Sequence, residues 1–542
     1  MKSGTGRDLL VGIDAGTSVI KAVAFDLTGK QIAVASTPNR YTTRADGAAF
    51  QALDQTWADS AQTLRDLGAK VDGLALRTRA LAVTGQGDGT WLVGAGNRPA
   101  TDAWLWLDAR AAGTAKRLQR HPGSRARFEA TGTGLAACNQ SAQIAHMVET
   151  MPEVLDRSEV ALHCKDWLYL NLTGVRATDP SEASFTYGNF RTRQYDDSVI
   201  EALGLTVWRR LLPEIVDGTE VIHPLSPQAA VATGLLAGTP VCLGFVDIVL
   251  TALGAGIHTA DAASAACSII GSTGMHMRAV RNAEVRLNAE GTGYVIALPI
   301  PGRVAQVQSN MAATLNVDWA LSLACELLAE FGTNLSQSDR MKLIDRWLQG
   351  GRPGALLYHP YISEAGERGP FVNANARADF IGLTSECRFP DLLRAVVEGL
   401  GMATRDCYAA MGGAMPAELR LTGGATRSRA LRAVLGAVVG APVRISAREE
   451  AGAAGAAMMA AVALGVYPDM ETCIAEWVSP LLESAETPDE HLAQIYTQMF
   501  PVYRGARRAL EPVWESMVLQ SGARRHPDAL PSSTSLERRN AG

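Results

Sequence analysis

Lysine is scarce in this chain: of 50 basic residues only seven are lysine, and the formal net charge is −5. An acidic balance without basic clusters gives no electrostatic case for nucleic acid as a partner. The eight cysteines form no C-x-x-C pair and no Cys/His group at zinc spacing. They are expected to be reduced, buried small hydrophobes of a cytoplasmic protein. Long apolar runs are missing too. The nearest, "AGAAGAAMMAAVALG" from Ala451 to Gly465, falls short of the roughly 20 residues that cross a membrane. Its small side chains predict a closely packed buried helix. The opening "MKSGTGRDLLVGID" has no apolar signal-peptide core. Neither G-x-x-x-x-G-K-[ST] nor G-x-G-x-x-G occurs, which excludes a Walker-type loop and a Rossmann dinucleotide site.

What is present is a long soluble chain, 542 residues with 47% hydrophobic and 19% charged residues, enough for two or three domains. "LLVGIDAGTSVIKAVAFD", Leu9 to Asp26, sets two strand-like runs about a turn at Asp14 to Ser18. "LTGK" then makes a hairpin into "QIAVAS", a helix is predicted over about 54–67, and a buried strand at Ala80 to Val83 follows. A comparable order returns later. "SAACSIIGSTGMHMRAV" places Gly271 to Gly274 between two strand-like runs, "GTGYVIALPI" supplies a third, and a helix over 391–411, the strand "ELRLTGG" and the Ala-rich helix come after. This suggests an internal duplication facing a cleft, with domains at 1–255 and 256–505 and a connection near 250–262. Residues 506–542 form an extension whose tail, from about 520, is rich in Arg, Pro and Ser and is expected to be disordered.

Turns rich in Gly, Ser and Thr point backbone N–H groups and hydroxyls into one concavity that suits phosphate oxygens. Asp14 beside such a turn would repel phosphate unless a cation lay between, so it suggests Mg²⁺ held largely through water. Gly16, Thr17 and Ser18 form the first turn, and Gly271, Ser272 and Thr273 the second. In "LTGGATRSRAL", paired glycines let the chain approach a flat ring, and the helix that follows favours anionic groups. Adenosine is expected against Gly423 and Gly424.

Together with "WLWLDAR", "CKDWLYLNLTG", "TDPSEASFT", "GFVDIVLTALGAG" and "HPYISEAGERGPF", these segments resemble the FGGY carbohydrate kinases of the actin-like ATP-binding superfamily, from Leu9 to about Tyr503. The resemblance implies an α/β fold of two actin-like, ribonuclease-H-like domains of βββαβαβα build facing a central cleft. It implies ATP and Mg²⁺ as cofactors, a small polyol or sugar as substrate, and a homo-oligomer as one possible state. By motif, Asp14 resembles the acid near the metal, and Thr17, Ser18 and Gly271 to Thr273 resemble the phosphate contacts. Asp247 matches the general base, and the resemblance implies Arg427 and Ser428 as neighbours of the adenosine.

The acceptor residues after Val83 are Gln86, Gly87 and Asp88, where glycerol kinases have Gln-Arg-Glu and xylulose kinases Gln-Met-His. Gly87 is expected to leave room for a chain longer than glycerol, and Asp88 to accept hydroxyl hydrogen bonds. Trp106 and Asp108 are placed in the same pocket, with Arg110 nearby. Trp104 and Trp106 share one strand face, so core packing is the alternative for both and one can face substrate while both serve the core; Lys165 with Asp166 is expected to form a structural pair at a domain surface. Among family members the segment is most similar to those acting on erythritol. A pentulose kinase is the alternative, and a non-catalytic actin-like ATP-binding module a remote one.

Overall fold

The computed structural model describes residues 6–259 and 265–524. In the first half, β1 (Leu9–Ala15), β2 (Val19–Asp26) and β3 (Gln31–Pro38) form an antiparallel meander, followed by helix α1 (Leu53–Lys70) and β4 (Thr78–Gly85). With β5 (Ile222–Pro224) and β6 (Pro240–Leu243), these strands make a six-stranded sheet of order β5-β6-β4-β1-β2-β3, in which β1, β4 and β6 run parallel. Helices α2 (Cys164–Thr173), α3 (Pro180–Tyr187) and α4 (Asp247–Gly254) lie in the same half.

The second half repeats this plan. Strands β7 (Ala265–Ile270), β8 (Gly274–Arg281), β9 (Tyr294–Ala297), β10 (Arg303–Asn310), β11 (Glu418–Thr422) and β12 (Val443–Ile445) form a sheet of order β9-β10-β8-β7-β11-β12. Here β7, β8 and β10 are the antiparallel meander, and β11 and β12 add in parallel to β7. The segment at Tyr294, expected as the third strand, is the edge strand beside β10. Helix α5 (Phe389–Ala410) precedes β11, and α6 (Arg429–Val439), α7 (Ala451–Ala463) and α8 (Glu490–Arg524) complete the half. Two further boundaries differ from expectation. Residues 250–254, placed in the connection, close α4, while 260–264 lie outside the described residues. Helix α8 runs on through residues 520–524, and the rest of the expected disordered tail also lies outside them.

Strand periodicity explains how Asp14 reaches the cleft. Leu9, Val11 and Ile13 enter the core on the α1 side, whereas Leu10 joins the cluster built around α7. Gly12 and Asp14 share the α7 face. The first turn is thus shorter than the sequence suggests: β1 continues through Ala15, so Asp14 stands on the strand and Gly16 to Ser18 form the turn.

Helix α7 comes from the second half of the chain yet lies across the first sheet, every residue from Ala451 to Ala461 being buried. It gets close because neither surface carries bulk. A methyl group added at Gly12 would strike the Ala453 carbonyl, and those at Gly254 and Gly455 would meet the backbone of Ala451 and Leu250. Backbone cannot yield as a flexible side chain does. Gly12→Ala is therefore expected to cost about 1–3 kcal/mol, read as a lowered midpoint of thermal unfolding; an unchanged midpoint would mean that α7 shifts freely.

Candidate active site

A cavity of ≈160 Å³ opens between the two halves. From the first half, Thr17, Gln86, Gly87, Asp88, Trp106 and Asp247 line it. From the second come Thr273, Met275, Tyr294 and Arg368. A larger cavity of ≈670 Å³ beside Arg429 and Arg432 shares no lining residue with it.

Asp247 is the first residue of α4, and its position is fixed from behind by a buried polar chain. The Val246 N–H donates to Ser181 Oγ at 3.1 Å, and Ser181 donates to Asp179. Asp179 also pairs with Lys165 Nζ at 2.5 Å, and Lys165 with Asp166 at 2.6 Å. Asp166 caps α2 by accepting the His163 N–H at 3.0 Å. Lys165 and Asp166 thus form the expected pair, but in the interior rather than at a surface, at 1% and 0% exposure. Burial opposes the ammonium charge, yet Asp166, Asp179 and Glu182 together raise its pKa, so it stays protonated.

Burial pushes the Asp247 carboxyl up to about 8, and the Asp14 charge adds to the shift against the Ile248 N–H and Lys165. Asp14 is raised to about 6 by burial, with Lys21 lowering and Glu450 raising it. Its Oδ1 is shut from solvent and has no hydrogen-bond partner among the described residues, while a methyl group at Gly452 would collide with its Oδ2. Two buried acids, one of which raises the other's pKa and itself has an unsatisfied oxygen, suit a cation beside Asp14. Among the described residues no group of three or more His, Cys, Asp or Glu side chains is poised for a metal. An ion here would take few protein ligands, which fits Mg²⁺ completed by water and phosphate oxygens.

Thr17 joins the turn to the pocket: its hydroxyl donates to Gln86 Oε1 at 3.1 Å and accepts from Trp106 Nε1 at 2.8 Å. Asp88 adopts φ 54°, a left-handed conformation uncommon for a residue with a side chain. Its Oδ1 accepts from Asn139 Nδ2 at 2.8 Å and its Oδ2 from the Tyr294 hydroxyl at 3.3 Å.

Two acceptor-side expectations need correction. The space a side chain would take at Gly87 is filled by Val246 Cγ2 and Glu182 Oε1, so the glycine opens no extra room there. Asp108 does not line the cavity: its carboxylate accepts the Ala49 N–H at 2.9 Å and is gripped by Arg110, whose guanidinium covers the Trp104 ring. Trp104 lies in the core and Trp106 faces the cavity, as alternation along one strand face does not require. Arg368, Tyr294 and Asn139 were missed. Arg368 lies in the segment "HPYISEAGERGPF", which could have drawn attention to it, whereas the places of Tyr294 and Asn139 follow from tertiary packing.

At the paired glycines, Gly423 (φ 88°) follows β11 so close to β7 that a methyl group there would strike the Ile270 backbone, one residue before the Gly271 turn. That turn closes through the Gly271 N–H on the Thr273 carbonyl at 3.0 Å and is braced by the Ala313 N–H on the Ser272 carbonyl. Gly424 and Arg427 are exposed. Ser428, a proposed neighbour of adenosine, is committed to capping α6 through the Leu431 N–H and to Asp345 at 2.5 Å. The paired glycines, the second turn, Thr273 and the Asp247 cavity thus form one continuous line.

The model of the FGGY N-terminal domain of carbohydrate kinases matches residues 9–254, and that of the C-terminal domain matches residues 266–464. The chain belongs to the FGGY family of carbohydrate kinases. This kinase is 67% identical over 510 residues to erythritol kinase of Brucella abortus strain 2308, covering 94% of this chain and 98% of that protein. Xylulose kinase of Escherichia coli K12 is 29% identical, with 93% of this chain and 100% of that one covered. A crystal structure of gluconate kinase from Lactobacillus acidophilus superposes with a TM-score of 0.84 at 22% identity, covering 94% of this chain and 99% of the other, a likeness of fold. No helix among the described residues is long and apolar enough to cross a membrane. All eight cysteines are free thiols; Cys325 and Cys387 are only half-buried.

Burying Asp247 has a measurable cost. Its ordinary value is 3.8 and its folded value about 8, so the folded state holds the proton more tightly. The stability contribution is full below the ordinary value and is lost as pH rises through the folded one. Asp247→Asn is expected to unfold at a higher temperature than wild type, with a gap that widens between about pH 4 and pH 8. Equal midpoints at pH 5 and pH 8.5 would show that the carboxyl carries no such penalty.

Proposed function

We propose that this FGGY kinase transfers the γ-phosphoryl group of ATP to a terminal hydroxyl of erythritol, giving an erythritol phosphate and ADP. The observation that carries the reading is the 67% identity, over 94% of the chain, to a protein named erythritol kinase. The pocket is consistent with it: Asp88 presents carboxylate oxygens to hydroxyls.

In this reading Asp247 accepts the proton of the acceptor hydroxyl as its oxygen bonds to the γ-phosphorus, and the bond from that phosphorus to the bridging oxygen of ADP breaks. The Gly16–Thr17–Ser18 and Gly271–Ser272–Thr273 turns donate hydrogen bonds to phosphate oxygens from opposite halves, and Gly423 and Gly424 seat the adenosine with Arg427 near it. Asp14 would hold Mg²⁺, whose positive charge would offset the phosphates and favour release of the Asp247 proton, which burial first and the Asp14 charge second hold in place. Residues 1–255 and 256–505 are taken as the two lobes of a cytoplasmic enzyme that excludes water by closing on its substrates.

The test is an ADP-release assay with MgATP and glycerol, erythritol, ribitol, xylitol, xylulose and ribulose as acceptors. The highest kcat/KM is expected for erythritol; preference for a ketose would leave a kinase but overturn the polyol assignment. Asp247→Asn is expected to retain ATP binding and lose at least about 100-fold in kcat. Asp88→Ala should raise KM for the polyol while leaving KM for ATP unchanged, and equal effects on both would remove Asp88 from the acceptor site.

A further inference from the structure

The acceptor cavity has one wall that the matched motifs do not account for. Tyr294 opens β9, in the second half, and its hydroxyl reaches Asp88 Oδ2 of the first half at 3.3 Å, beside Cys138 Sγ at 3.6 Å. Its ring stands edge-on to Phe185 of α3, with centroids 5.7 Å apart and planes at 89°. Phe185 is itself 2% exposed, so the ring is backed by core and has little freedom to swing aside.

Asp247, Asp88 and Tyr294 line the same cavity, and the Tyr294 hydroxyl is bonded to Asp88. A polyol with one hydroxyl at Asp247 and another at Asp88 thus meets the Tyr294 ring beside that second acid. Asn139 and Tyr294 each occupy one oxygen of Asp88 and hold the carboxylate still, leaving lone pairs free for acceptor hydroxyls.

Building on the polyol kinase reading, we propose that Tyr294 is the residue that sets acceptor chain length. An acceptor one carbon longer must displace a ring that Phe185 and Asp88 hold in place. Shorter polyols fit but leave Asp88 less well used. Selectivity among polyols would then be set by the second half of the chain, although the carboxylates that bind and activate the acceptor belong to the first.

Steady-state kinetics with erythritol, ribitol and xylitol on three proteins tests this. Tyr294→Ala removes the wall, and the pentitol-to-erythritol ratio of kcat/KM is expected to rise at least about tenfold. Tyr294→Phe keeps the ring: the ratio should stay within about twofold, while KM for erythritol rises roughly two- to tenfold through the lost hydrogen bond and KM for ATP is unchanged. Should Tyr294→Ala fail to fold, Tyr294→Leu, which keeps bulk in the core but shortens the wall, takes its place with the same expected direction. A folded Ala or Leu variant with an unchanged ratio overturns the proposal. If wild type prefers an acceptor other than erythritol, the function reading fails separately, and the ratio is measured between that acceptor and its homologue one carbon longer.

Discussion

The contact on which the site depends is the backbone-to-backbone approach of α7 to the first sheet. Gly12 and Gly452 let helix and sheet meet closely, Gly254 and Gly455 do the same for α7 and α4, and this closeness leaves Asp14 pressed against Gly452. Its carboxyl is thereby stripped of water without being given a full set of partners. Desolvation of one acid then reaches the next, since the Asp14 charge makes Asp247, raised first by its own burial, harder still to ionise. An electrostatic need for positive charge at the cleft floor thus begins as a packing arrangement among the smallest residues in the chain. A bulkier helix would stand off, admit water and relax both acids.

Asp247 is also held by a polar interior of an unusual kind. One buried ammonium, Lys165, serves three acids, and the chain from Asp179 through Ser181 to the Val246 N–H passes that order to the start of α4. A lone buried charge would be intolerable, but paired and hydrogen-bonded it becomes a rigid foundation. Second-half elements brace the opposite wall in a different manner. Tyr361, Phe371 and Trp514 pack together, so α8 supports the loop that carries Arg368 toward the pocket.

Much of this was legible in the sequence, because it is local. The two Gly-Ser/Thr turns, the strands flanking them, the paired glycines and the acid at the start of α4 follow from short-range pattern. What escaped was tertiary. Strand β10 was passed over because Gln306, Gln308, Ser309 and Asn310 look like solvent-facing residues, yet all are buried. Gln308 Nε2 donates to the Thr292 carbonyl and Asn310 Nδ2 to the Gly369 carbonyl, partners outside their own strand. Asp108 misled for the converse reason: a conspicuous acid beside a pocket tryptophan spends its charge on Arg110 and a backbone N–H. Gly87 looked like a vacancy only because a missing side chain says nothing about what a neighbour does with the space.

The two halves are built alike, and the turn after β1 superimposes in register on the turn after β7: Gly16 corresponds to Gly271, and Val19 to Gly274, each pair opening the next strand or its turn. By the same count Asp14 corresponds to Ile269. The scaffold therefore has near-twofold likeness, while its charge does not. In the proposed reading a triphosphate would meet like turns from both sides but an acid on one side alone, so a bound nucleotide would have a head and a tail that the backbone by itself would not distinguish. A difference at a single strand position would then turn a repeated pair of turns into a directional device.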